Sequence, residues 1–270
     1  LSERAISYMA TPGYDGWPAG RVLESILQAG YDAVEWTPAH LDSLLTPATS
    51  IACHQDLVTG GEEALDVTLR TIDAAAEAGI PVVNVLTGPN LWEGADPVAA
   101  DDEEAWSRAL DALEKICRRA GDAGVKVGFE PCWGTLAHDG VSAQRVLDSV
   151  PVSVCFDPSH FVMTGDDIPG LIERWGDRIV NFHMKDAFGR PGIDGEDFLF
   201  CMLGEGLVPW PEVFSALDRV GYDGALSVEF EAYRYYEQIL GSDPEAAATL
   251  CRTQVAALVE GPTAGEKATG

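Results

Sequence analysis

The chain is poor in basic residues: 17 lysines and arginines stand against 44 acidic residues among 270, a formal net charge of −27 at pH 7. Such a surface repels nucleic-acid phosphates and anionic lipid headgroups, so neither is expected as a partner. Apolar runs of the roughly 20 residues needed to cross a bilayer are also missing. The longest runs are strand-sized and broken by charge or glycine, so no membrane span is expected. The six cysteines (53, 117, 132, 155, 201 and 251) form no CxxC pair and no framework of short spacings. That scatter excludes a zinc ribbon and a redox dithiol. Together with the lack of a secretory leader at Leu1, it makes reduced thiols in a cytoplasm the expectation. No internal repeat, low-complexity linker or shift of composition marks a second domain. A single domain over 1–260 is expected, followed by a flexible tail at 261–270, "GPTAGEKATG".

What the chain does have is alternation. Strand-type runs occur at "AISYM" (5–9), "DAVEW" (32–36), "SIACH" (50–54), "PVVNVL" (81–86), "VKVGFE" (125–130), "VSVCF" (152–156), "RIVNFH" (178–183) and "ALSVEF" (225–230). Helix-period segments separate them, weakly only near "AHLDSLL". Several helices stop at a glycine feeding the next strand, as in "EAGIPVV" and "DAGVKVG". The acidic run "DDEEAW" (101–106) sits where a helix should begin, where carboxylates favour the positive end of its dipole. Eight strands alternating with helices predict a (β/α)8 TIM barrel, with an open doubly wound sheet as the competitor. No GxGxxG follows the first strand, which weakens the dinucleotide-binding form of that competitor.

In a barrel, residues at the C-terminal ends of the strands face one mouth. Polar residues collect there: Glu35 after strand two, His54 after three, Glu130 after five, Asp157 after six, His183 after seven and Glu229 after eight. The last four supply three carboxylates and one imidazole from consecutive strands. Such a set suits Mn²⁺, Mg²⁺ or Co²⁺ better than a structural zinc, which prefers thiolates. Cys132 and Cys155 flank it but read as small buried hydrophobes rather than ligands.

The motifs "VGFEP", "VCFDPSHF", "NFHMKD", "LGEG" followed by "PWPEVFSAL", and "GYDGALSVEFE" resemble, as an ordered set, the xylose isomerase-like barrels. That family includes sugar phosphate isomerase/epimerases, ketose 3-epimerases and inosose dehydratases. The likeness covers most of 120–260 and, more loosely, the first half. It implies that Glu130, Asp157, His183 and Glu229 hold one divalent metal, foremost Mn²⁺, with Mg²⁺, Co²⁺ or Zn²⁺ as alternatives. It also implies that His160, three residues past the aspartate, faces the substrate hydroxyls. A divalent ion that chelates a carbonyl and its neighbouring hydroxyl stabilises the enediolate left when the adjacent carbon loses a proton. Glu130 and Glu229, one on each side of the sugar, are the expected acid–base pair for an isomerase or epimerase. The alternative is a lyase on the same scaffold, either a keto-cyclitol dehydratase or a C-glycoside deglycosidase subunit cleaving an oxidised sugar, with His138 or His160 as the extra acid or base. A binding subunit without turnover is a third reading, which the intact ligand set disfavours.

The chain departs from ketose 3-epimerases at two offsets where a glutamate and an arginine are usual: the sixth residue past Glu130 is Leu136, and the sixth past His183 is Gly189. The multi-zinc endonuclease branch needs more histidines than the five present. Further substrate-binding candidates are Lys185, Asp186, Trp133, Arg190, Glu35 and His54. Trp36 and Trp92 also follow strand ends, whereas Trp106 and Trp175 read as core. With few cations near the mouth, an unphosphorylated sugar or keto-sugar is the expected partner, and the sequence is compatible with a homo-oligomer or a small partner subunit.

Overall fold

Short strands that are apolar on one face and polar on the other can close only around a polar lumen, and that is the arrangement adopted. The computed structural model describes residues 4–193 and 195–260; the tail expected at 261–270 lies outside the described residues. The barrel is built from β1 (Ile6–Met9), β2 (Ala33–Trp36), β3 (Ala48–Cys53), β4 (Val82–Val85), β5 (Lys126–Phe129), β6 (Ser153–Phe156), β7 (Ile179–Met184) and β10 (Leu226–Val228). These strands are all parallel, and the sheet closes by pairing β1 with both β2 and β10. All eight predicted strands are present, and the fold is a single-domain TIM barrel. An antiparallel hairpin, β8 (Asp186–Gly189) with β9 (Phe198–Cys201), stands after β7 where no element was predicted.

The helices are α1 (Ala19–Gln28), α2 (Gly61–Ala78), α3 (Glu103–Ala123), α4 (Gly140–Ser149), α5 (Pro158–Thr164), α6 (Ile168–Trp175), α7 (Trp210–Arg219), α8 (Tyr233–Gln238) and α9 (Pro244–Glu260). Instead of a helix after β2 there is a 3₁₀ segment, Pro38–Ser43, with no side-chain cap. The acidic run before α3 acts as predicted: Asp102 accepts hydrogen bonds from the Glu104 and Ala105 N–H groups, both 3.0 Å. Helices α2 and α3 end at Gly79 and Gly124, each left-handed with φ 71°.

Outward-facing strand residues such as Val34, Ile51, Val83, Val127, Val154 and Phe182 join one apolar cluster with Ile26, Ile72, Leu113 and Ile172 of the helices. Each such side chain, fully buried, contributes about 1.5–3 kcal/mol. Inside, Ser7, Glu35, Ser50, Asn84, Cys155, Asn181 and Ser227 are buried and polar or sulfur-bearing. Space in the lumen is short. A Cβ on Gly128 would lie 2.7 Å from Asn84 Oδ1 and 3.1 Å from the Cys155 Cβ, so only glycine fits there without displacing the network.

Candidate active site

Glu35 lies at the base of the site. Its carboxylate accepts hydrogen bonds from Asn84 on β4, Asn181 on β7 (3.2 Å) and Ser227 on β10. It also faces His183 Nε2 at 3.2 Å. A carboxylate on Nε2 holds a proton on that nitrogen and directs Nδ1 up the barrel. Expected to touch substrate, Glu35 is instead fully buried beneath His183, outside the cavity lining.

Above it, His183 Nδ1 lies 3.1 Å from Glu229 Oε2 and 3.4 Å from Glu130 Oε2. Asp157 completes the group from the end of β6. It also caps α5: Oδ1 accepts the Ser159 N–H at 2.8 Å, with Pro158 in the first helical position, so the "FDPSHF" turn leaves Oδ2 for the site. One donor atom each from Glu130, Asp157, His183 and Glu229 lies within 4.8 Å of the others, and all four residues are buried. Glu130 Oε2, Asp157 Oδ2 and His183 Nδ1 have no well-aligned hydrogen bond. Three buried carboxylates that converge are costly unless cationic charge offsets them, and the Lys185 ammonium alone does not balance all three. A donor set rich in oxygen with one imidazole therefore fits a divalent metal ion.

Lys185, at the exit of β7, is the nearest protein cation. Its Nζ contacts Asp157 Oδ2 and Glu229 Oε2 at 2.8 Å, Glu231 Oε2 at 3.0 Å and His160 Nε2 at 3.3 Å. Burial pulls the Lys185 ammonium toward neutrality, but Asp157, Glu229 and Glu231 outweigh it and raise its pKa well above the usual value. Burial likewise works against charge on Glu130, yet His183, His160 and His54 hold its carboxyl well below the ordinary range. For His183, burial opposes protonation, while Cys155, Glu35, Glu130 and Glu229 push its pKa up.

The cavity over this cluster holds about 290 Å³. Glu130, His160, Lys185, Glu229 and His54 form its polar floor, and His54 Nε2 lies 3.2 Å from Glu130 Oε2. Its wall is aromatic: Trp133 packs on Phe198 with centroids 4.6 Å apart and faces Trp92 at 6.4 Å, with Phe200 and Tyr233 beside them. Trp36 is not in this wall; it is fully buried and its Nε1 donates to the Leu45 carbonyl at 2.9 Å. Trp106 and Trp175 are core residues as predicted.

Two more expected substrate contacts lie elsewhere. Asp186 is fully buried, and its carboxylate accepts from the backbone N–H groups of Ala187 (3.0 Å), Gly204 (2.9 Å) and Val208 (3.1 Å) and from Trp210 Nε1 (3.0 Å). It clamps the return from the hairpin to α7. Arg190 is on the hairpin surface, 80% exposed and paired with Asp197 at 3.3 Å. The sequence pattern did not single out Phe198 and Phe200, although "FLFC" carries a period-two signal, nor Glu231, and all three line the cavity. It also missed Asn84 and Asn181, each a lone amide in an apolar strand and so a sign of a polar lumen.

The family model for a xylose isomerase-like TIM barrel matches residues 43–252. Among curated proteins, inosose dehydratase from Lacticaseibacillus casei is 28% identical over 254 residues, covering 85% of this chain and 82% of that protein. The solved structure of a zinc-bound IolI protein superposes with a TM-score of 0.75 at 18% identity, covering 95% of this chain and 98% of that one. An L-ribulose 3-epimerase structure gives 0.69 at 18% identity, covering 95% of both chains.

Proposed function

The chain belongs to the xylose isomerase-like TIM barrel family, and from that premise we propose that it is a divalent-metal-dependent lyase acting on a polyhydroxylated cyclic ketone. It removes a proton next to the carbonyl, and the neighbouring carbon then loses its hydroxyl as water. The observation that carries this reading is the convergence of buried Glu130, Asp157, His183 and Glu229 on one point, three carboxylates with the Lys185 ammonium beside them. These four residues would hold the metal. A divalent cation held there would supply Lewis-acid stabilisation of the negative charge that develops on the carbonyl oxygen.

The rest of the chemistry falls to the chain. Glu130 and Glu229 line the cavity from the ends of β5 and β10, strands that lie on either side of β7 in the barrel order, and one of these carboxylates accepts the proton from carbon. His160 Nε2, with the Lys185 ammonium 3.3 Å away, gives the proton that leaves with the hydroxyl. Glu35 keeps His183 in one tautomer. The aromatic wall excludes water and packs on the apolar face of the ring. Elimination is favoured over epimerisation because an inosose dehydratase is the relative at 28% identity, and because the glutamate and arginine offsets of ketose 3-epimerases hold Leu136 and Gly189. Isomerisation or epimerisation is the second reading. Its support is the presence of two carboxylates in the cavity lining, one to take a proton and the other to return it.

Incubating a panel of keto-cyclitols and ketoses in D₂O with Mn²⁺ separates these readings by mass spectrometry. Dehydration gives a product lighter by one water. Deuterium entering beside the carbonyl without loss of water would replace the lyase by the isomerase. No change in any substrate, with or without metal, would remove both.

A further inference from the structure

Glu130 belongs to three donor sets at once, one of which, with Cys155 and His183, shares its imidazole with the oxygen-rich cluster; the other two are distinct. In the first of these two it joins Asp157, His183 and Glu229; in the second it joins Cys132 and His160, again with all three residues buried and one donor atom of each within 4.8 Å of the others. The two differ in chemistry. Three carboxylates and an imidazole favour hard or borderline ions, whereas a thiolate, an imidazole and one carboxylate favour zinc and softer ions.

Cys132 is held where a ligand would need to be. The loop after β5 is tied by the Cys132 N–H, which donates to the Ala137 carbonyl at 3.1 Å. The Cys132 carbonyl in turn accepts from the Thr135 N–H at 3.2 Å and its hydroxyl at 2.8 Å. The Sγ donates to the Trp133 carbonyl at 3.3 Å, and Cys132 lines the cavity. Cys155 differs: it lies beside His183 Nε2 at 3.5 Å, within the lumen and off the cavity wall. His160 is fixed as well, because its Nδ1 accepts the Trp133 N–H at 3.3 Å and its Nε2 faces Glu130 Oε1 at 3.6 Å.

We propose that the cavity contains a second cation position, formed by Glu130, Cys132 and His160, that takes a thiophilic divalent ion such as zinc or cadmium. A tetrahedral zinc with ordinary bond lengths needs its donors about 3.5 Å apart, so the three side chains close in by rotamer adjustments. The fourth position faces the cavity and takes water. Binding replaces the thiol proton, released to solvent, by a metal–sulfur bond. Since both positions draw on Glu130, and His160 becomes a ligand in the second, an ion there removes the groups that would meet substrate. Excess zinc is therefore an inhibitor. None of this depends on whether the reaction is elimination or epimerisation.

The test is a cadmium titration of the metal-free full chain, followed by thiolate-to-metal charge-transfer absorption, alongside Mn²⁺ content by plasma mass spectrometry. The wild type, Cys155→Ser and Asp157→Ala should all develop the absorption at one equivalent of cadmium. Cys132→Ser should lose it yet still retain Mn²⁺, while Asp157→Ala should lose Mn²⁺. His160→Gln is the second variant and should weaken cadmium binding without abolishing Mn²⁺ retention. Absence of the band from the wild type, its survival in Cys132→Ser, or its loss in Cys155→Ser would overturn the assignment. The Mn²⁺ arm reports on the oxygen-rich set separately.

Discussion

Asp186→Asn keeps the size and shape of a side chain that four donors share, two on each carboxylate oxygen. An amide has one oxygen and one NH₂, so whichever way it turns, two buried donors face another donor. Leaving a buried donor unpaired costs about 1–3 kcal/mol, and adjustment of the loop recovers part of it, so the net loss is about 3 kcal/mol. For a chain of this size, about 2–4 °C of melting temperature per kcal/mol puts the fall at ~6–12 °C. Differential scanning calorimetry reads the shift, and limited proteolysis between the hairpin and α7 reads its location. A melting temperature within a degree or two of wild type, with a raised KM, would refute the clamp and restore Asp186 as a substrate contact.

The remaining predictions concern the lumen and the tyrosines. Glu35→Gln removes the charge that orients His183 and should lower Mn²⁺ affinity by about 10–100-fold, as loss of a partner behind a metal-binding histidine does. Calorimetric Mn²⁺ titration measures it, and unchanged affinity would show that the lumen does not tune the ligand. Tyr14 hydrogen-bonds Ser25 and donates to the Pro244 carbonyl at 3.2 Å, and burial pushes its hydroxyl up to about 12, against an ordinary 10.0. An unfolded tyrosine ionises near 10 while the folded one keeps its proton, so stability is intact below about pH 10 and declines from there to about pH 12. Tyr14→Phe should flatten that alkaline decline in a denaturation series; an identical pH profile would sink the argument.

The barrel was legible because its strands carry period-two patterning between amphipathic helices, and because Glu130, Asp157, His183 and Glu229 each end an apolar run. Less legible was anything set by long-range approach. Glu35 and His54 read alike as polar residues near strand ends, yet Glu35 lies within β2 in register with Ser50 and is closed under His183, while His54 follows the end of β3 and reaches the cavity. The α5 helix escaped because seven residues are too few for a helical period to show, and its start, Asp157-Pro158, reads equally as a turn. The hairpin escaped because the run "GRPGIDGED" looks like an unstructured loop, although the strands beside it supply Phe198 and Phe200 to the wall.

The segment from His183 to Asp186 places three different duties on four successive residues: an imidazole for the acidic cluster, an ammonium among the acids, and the clamp on the return from the hairpin to α7. An insertion or deletion anywhere within it would shift all three together. Among the described residues, the hairpin tip beyond Gly189 supplies none of these three groups. New specificities are therefore most accessible by lengthening or recomposing the tip, with the chemistry upstream left in register.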